Sequence, residues 1–329
     1  MVRLLSRLPI ILLAVFTFGC EEAPPPKSAT SETMETTLQN KNTPTDLSNI
    51  KIALVMKTLT NPFFISMEKG ARKAEKELGI TLLVKTAAQE TSTIQQINIV
   101  DKLIREGNIS AIVIAPASSV KLIPSLKRAQ DKGIHVINID NMLDPVASEV
   151  AGLKKVPFIS VDNEKSAYLS VRTITMDTSQ PTEAGILEGI QDAVNAQARK
   201  RGALKAFSEN SNIQVVASET AHWKIDEAYE VTKKMFKDHP NISVLFCAND
   251  MMALGAIEYL RETNRKSVRI AAFDAIDEAR LALKTGWLDV TIDQQPSMQG
   301  YEGIMAAMRS ILGEEPKPVT LLEGLIISQ

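Results

Sequence analysis

At 329 residues the chain has room for one large domain or two of medium size. Hydrophobic residues make up 44% and charged residues 23%, the ordinary balance of a soluble globular protein with a substantial core. The formal net charge is -2 with Lys and Arg scattered, so no electrostatic case exists for a nucleic-acid partner.

In chain order, Arg3 and Arg7 precede an apolar run over residues 8–18, followed by Gly19 and Cys20. A basic start, a short apolar middle and a small residue before the cut describe an export signal over residues 1–20. The run is shorter than the roughly 20 apolar residues a crossing helix needs. The Gly19–Cys20 junction resembles the lipobox of bacterial lipoproteins, where the thiol is acylated and becomes the mature N-terminus. Thr17 and Phe18 stand where that motif usually carries Leu and a small residue. The resemblance implies lipidation of Cys20 and a lipid anchor in a membrane; the alternative is a plain secretory signal with an incidental Cys. Residues 21–48 are rich in Pro, Thr, Ser and charge, and cannot bury enough apolar surface to offset the entropy of ordering. They are expected to form a flexible tether.

From residue 50 onward, apolar runs alternate with amphipathic stretches. KIALVM reads as a buried strand and residues 62–78 as a helix, with Phe64, Met67, Ala71, Ala74 and Leu78 at helical spacing and Gly79 as its stop. ITLLVKTA, AIVIAP and HVINID continue as strands, separated by predicted helices over about 93–105 and 120–132. The rhythm restarts with FISVDN, a helix over 164–175, EAGILEGI and a helix over 195–208. NIQVVASET, SVLFCAND, VRIAAFD and LDVTIDQQ follow, alternating with helices over about 224–237, 251–262, 277–284 and 298–312. Strands alternating with helices predict parallel sheets covered on both faces, and the restart predicts two doubly wound α/β lobes. In such sheets ligands bind outside the carboxyl ends of the strands.

The residues at those ends carry the chemistry. TLTNPFF follows the first strand with no Gly between Lys51 and Lys69, and no GxxxxGK[ST] loop occurs anywhere, so the nucleotide-enzyme reading loses its main support. The loop offers Asn61 and two adjacent rings, Phe63 and Phe64. Aromatic planes and fixed polar groups suit the apolar C–H face and hydroxyl rim of a sugar; the alternative is two core rings at a helix start. Asp140 and Asn141, Asp162 and Asn163, Asn249 and Asp250, Asp274, and Gln294 and Gln295 end five further strands. Singly, each reads as well as a helix N-cap, Asp162 and Asp250 above all; together they furnish a polar rim. Arg201 either points its planar fork at hydroxyls or is solvated, and Trp223 is either a second stacking wall or a packing residue. Cys247, the one Cys beyond Cys20, has no disulfide partner and is expected to pack as a small hydrophobe. The three His residues are dispersed, so neither a metal nor another cofactor is expected.

TLTNPFF, ANDMMALGA (residues 248–256) and AAFD, in that order and spacing, are similar to hallmarks of the periplasmic ribose-binding-like proteins, the type 1 solute-binding components of sugar ABC transporters. The resemblance covers about residues 51–329. It implies two doubly wound lobes, 49–160 with 295–322 and 161–294 with 323–329, joined by crossings near Ser160, Gln294 and Leu322. It places Asn61, Phe63, Phe64, Asp140, Arg201, Trp223, Asn249, Asp274 and Gln294 in the cleft, with Asn141 beside Asp140 where ribose binders carry Arg. With Trp223 replacing their Phe, a pyranose, polyol or cyclitol is expected rather than ribose. The expected function is non-enzymatic capture of a sugar or related polyol by hinge closure, by a monomer held at the cell surface or in the periplasm, and delivery to an ABC transporter permease. The alternatives are a sensor presenting its closed form to a chemoreceptor or sensor kinase, and a carbohydrate-active enzyme. The latter would need two carboxylates flanking one bond.

Overall fold

The computed structural model describes residues 47–328; the export signal, Cys20 and residues 21–46 of the tether lie outside the described residues. The first half runs β1 (Lys51–Met56), α1 (Pro62–Leu78), β2 (Thr81–Thr86), α2 (Thr93–Glu106), β3 (Ala111–Ile114), α3 (Ile123–Asp131), β4 (His135–Ile139), α4 (Pro145–Ala151) and β5 (Phe158–Val161). Then follow α5 (Asn163–Thr175), β6 (Thr182–Glu188), α6 (Val194–Ser208), β7 (Ile213–Thr220), α7 (Ile225–Asp238), β8 (Ile242–Cys247), α8 (Asp250–Glu262) and β9 (Arg269–Ala271). The chain closes with α9 (Asp277–Lys284), β10 (Val290–Asp293), α10 (Pro296–Ile311), β11 (Val319–Leu322) and β12 (Leu325–Ser328).

The strands form two sheets. One has the order β11-β5-β4-β3-β1-β2 and is parallel throughout. The other has the order β12-β10-β9-β8-β6-β7 and is parallel except for β12, which runs antiparallel to β10 at one edge. Strands β1 and β3 are buried along almost their whole length, which explains their near-continuous apolar sequences: helices cover both faces. The core beneath α2 and α3 is built from Val55, Val100, Leu103, Ile112, Leu126 and their neighbours.

The chain crosses between the sheets three times. After β5 it enters α5, which packs on α6, β9 and β10 of the second sheet; after β10 it enters α10, which returns to α1, β3 and β4 of the first. Helices α1 and α10 meet at backbone distance, since a Cβ on Gly70 would stand 1.7 Å from the Ser297 carbonyl oxygen and one on Gly300 2.1 Å from that of Met67. The third crossing joins β11 of one sheet to β12 of the other.

Four elements depart from the sequence reading. Helix α4 was not expected: it has seven residues and buries none of them, so it carries no amphipathic period. Strands β11 and β12 have four residues each and are largely half-buried or exposed, too short and too mixed to register as apolar runs. Helix α3 starts at Ile123, with Pro124 in its first turn, rather than at Val120.

Candidate ligand-binding site

Strand β1 lies between β2 and β3, and β6 between β7 and β8, so the winding direction reverses at the same relative place in each sheet. Loops diverge at such a switch point and leave a crevice. Here the two crevices share one small pocket lined from both sheets. The first sheet's loops contribute Asn61, Phe63, Phe64 and Asp140; the second contributes Trp223, Asn249 and Asp274, and the second crossing contributes Gln294. Four further residues line it that sequence reasoning missed: Lys57, Glu90, Asn195 and Arg199.

Local structure explains how each is presented. Asn61 caps α1, its Oδ1 accepting from the Phe63 amide at 3.0 Å, while its Nδ2 donates to Glu90 Oε1 at 2.9 Å. Pro62 fixes the first turn, and the two rings that follow stand edge to face, centroids 5.1 Å apart and planes at 87°. Asn249 caps α8 by accepting from the Met252 amide at 2.9 Å. Asp140, Trp223 and Asp274 are presented differently: all three have positive φ, 64°, 68° and 124°. Such conformations cost non-glycine residues on the order of 1–3 kcal/mol each and persist only where the surroundings impose them. Trp223 lies against the Gly189 backbone, where a Cβ would stand 2.0 Å from the indole ring, so residue 189 must be glycine for the ring to sit there.

The charges are paired and buried. Lys57 Nζ lies 2.7 Å from Asp140 Oδ2 and 3.9 Å from Glu90. Arg199 donates from Nε to Asn163 Oδ1 and from Nη1 to the Ala248 carbonyl, both at 2.8 Å. Its guanidinium lies 3.8 Å from the centroid of the Phe273 ring and 3.7 Å from Asp274 Oδ1. Gln294 Nε2 donates to the same Asp274 oxygen at 2.5 Å. Burial pushes the Asp274 carboxyl well above the usual carboxylate range, against the pull of Arg199, and raises that of Glu90 against the pull of Lys57. Burial also lowers Arg199, opposed by Asp274 and Asp140.

Not every polar group finds a protein partner. Trp223 Nε1, Asn195 Oδ1 and Gln294 Oε1 are buried with no hydrogen-bond partner among the described residues. Buried polar atoms are nearly always satisfied, so three open positions around one cavity call for a ligand that both donates and accepts. Hydroxyl groups do both.

Two expectations are corrected. Arg201 does not reach the cavity: it is exposed and pairs with Glu164 at 2.8 Å. Arg199 does instead, because two residues along a helix turn the side chain through about 200° to the opposite face. Asn141 is buried but does not line the cavity. Its Nδ2 donates to the Pro116 carbonyl at 3.1 Å, and its Oδ1 accepts from the Asn195 amide at 3.2 Å, so it is committed to backbone. The missed residues left weak signals: Lys57 directly ends β1, Glu90 sits in the loop after β2, and Asn195 and Arg199 are spaced i, i+4 on one face of α6.

A family model of the periplasmic binding protein domain matches residues 52–315. The D-ribose/D-allose-binding protein of Pseudomonas aeruginosa is 37% identical over 272 residues, covering 81% of this chain and 84% of that one. The D-allose-binding periplasmic protein of Escherichia coli is 32% identical over 257 residues, covering 77% and 81%. Among solved structures, an ABC transporter periplasmic solute binding protein from Actinobacillus succinogenes with bound D-allose is similar with a TM-score of 0.80 and 36% identity, covering 85% of this chain and 97% of that one.

Proposed function

The chain belongs to the periplasmic binding protein family, in its ribose-binding-like sugar-receptor type, and from that premise we propose that it captures one aldose unit, D-allose foremost, and delivers it to an ABC transporter permease. The observation that carries this reading is that Trp223, Gln294 and Asn195 line one pocket, each with a buried side-chain atom (Nε1, Oε1 and Oδ1) that has no hydrogen-bond partner among the described residues. The named ligands of the relatives support an aldose.

Binding works by differential contact. The ligand engages one lobe first and gains the second lobe's bonds on closure, so it shifts the open–closed equilibrium by the free energy of that second set. Charge-assisted bonds from Asp140 and Arg199 outweigh the neutral ones from Asn61 and Asn249. An epimer leaves a buried group unpaired, costing about 1–3 kcal/mol. The sugar leaves as it entered, chemically unchanged.

The test is thermal denaturation with D-allose, D-ribose and D-glucose. At about 100 times its Kd a ligand adds about 2.7 kcal/mol, worth about 5–10 °C for a domain of this size. D-Allose is expected to raise the melting temperature that much, and Trp223→Ala and Asp274→Ala to abolish the rise while the ligand-free variants stay folded. No rise with any sugar sinks the reading. The chain is held to its membrane by a lipid on Cys20, with residues 21–48 as tether; the full chain should enter a detergent phase and Cys20→Ala the aqueous phase. Equal partitioning removes the anchor.

A further inference from the structure

Helix α6 lacks a cap of its own. Its N-cap position is Ala193, whose side chain accepts nothing. The first amides of a helix have no intrahelical acceptor, so those of Val194 and Asn195 need one from elsewhere. Both find it across the cleft. The Val194 amide donates to Ser119 Oγ at 3.1 Å, and the Asn195 amide donates to Asn141 Oδ1 at 3.2 Å. Ser119 Oγ also lies 3.3 Å from Asn141 Oδ1, tying the two acceptors together. Ser119 and Asn141 follow β3 and β4 of the first sheet, whereas α6 packs on β6 and β7 of the second. One lobe therefore caps a helix of the other.

The capped residue also faces the ligand. Asn195 is 4% exposed, its side chain lines the cavity, and its Oδ1 has no partner among the described residues. Arg199 follows one turn later on the same helix face, so the two form a continuous polar wall.

We propose that Asn195 is the specificity-determining residue at which lobe closure and hydroxyl recognition are joined: its backbone is capped by Ser119 and Asn141 only when the lobes close, and that docking sets its side-chain amide against one hydroxyl of the sugar. The inference rests on the sugar-receptor reading above. It separates two roles. Asn141 acts on closure, so it affects every ligand alike. Asn195 acts on one hydroxyl, so it affects ligands according to whether they carry it.

Calorimetric titration of wild type, Asn195→Ala and Asn141→Ala with D-allose and its monodeoxy derivatives tests both roles. Asn195→Ala is expected to weaken D-allose about 10–100-fold, the loss for an unmade bond to a buried group. One monodeoxy sugar, lacking the hydroxyl that Asn195 reads, is expected to bind wild type and Asn195→Ala equally. Asn141→Ala is expected to weaken every sugar by one common factor. Should Asn195→Ala melt early without ligand, Asn195→Ser keeps a small polar group at that position and is expected to show the same pattern. A common factor for all sugars with either Asn195 variant, or unchanged affinities with Asn141→Ala, overturns the inference while leaving the receptor reading in place. Wild type that binds none of these sugars removes both.

Discussion

Asp250 lines no part of the cavity, yet it shapes one wall of it. Its Oδ1 accepts from Thr291 Oγ1 at 2.7 Å and its Oδ2 from the Ile276 amide at 2.9 Å, while Thr291 Oγ1 also accepts from the Ala275 amide at 3.2 Å. The buried carboxyl thus clamps the Asp274–Ala275 turn, where φ is 124° and 54°. Burial pushes Asp250 up to about 7, against the bonds from Thr291, Ile276 and Ala275 and the charge of Arg199. In the unfolded chain an Asp titrates near 3.9. Between about pH 4 and 7 the folded state therefore binds more protons than the unfolded one, and this group's contribution to stability falls as pH rises, by up to about 1.4 kcal/mol per pH unit. Asp274 and Glu90, both raised, act with the same sign. Asp250→Asn removes one titration, so its melting temperature between pH 4.5 and 7.5 is expected to fall less steeply than that of wild type. Parallel curves would exclude Asp250 as a contributor. At this scale the sequence was readable where residue type and strand end coincide, as at Asp140 and Asp274. It was not where helical phase decides: Arg199 and Arg201 are equivalent in composition, and only the packing of α6 on α5 selects between them.

Among elements, the two competing readings of the strand-end residues turn out to be compatible. Asn61 and Asn249 cap α1 and α8 through Oδ1 and still line the cavity, because the amide nitrogen carries two hydrogens, of which Asn61 gives one to Glu90. Asp162 caps α5 by accepting from the Lys165 amide at 2.9 Å and does not reach the cavity. Asp250, an equally strong cap candidate, gives that place to Asn249 and turns its carboxyl into the core. Local propensity identified helix starts; it could not say which cap also faces a ligand, since that depends on the loop's place relative to the switch point. The long alternation of apolar runs and amphipathic stretches made the two sheets legible. Helix α4, β11 and β12 lacked a period to read, because their faces are not divided between core and solvent.

As a whole, the molecule stands with the site buried between its two sheets. Of the cavity-lining residues, Phe63, Arg199, Trp223 and Gln294 are all under 5% exposed, and walls come from both sheets. Entry requires the lobes to part, and the three crossings near residues 162, 294 and 323 are the only covalent links between the sheets among the described residues. Parting them uncaps α6, returning the Val194 and Asn195 amides to water, and exposes the ion pairs of Lys57 and Arg199 to a medium in which their attraction is weak. Closure without sugar is opposed by the open bonding positions of Trp223, Asn195 and Gln294. A ligand that fills them must favour the closed form by about 5.5 kcal/mol to carry a population from 1:99 to 99:1. Small-angle scattering is expected to give a larger radius of gyration for the ligand-free protein than for the protein saturated with D-allose, the latter agreeing with the closed arrangement described. Identical profiles in the two conditions, with sugar binding verified in the same sample, would mean that capture proceeds without lobe movement.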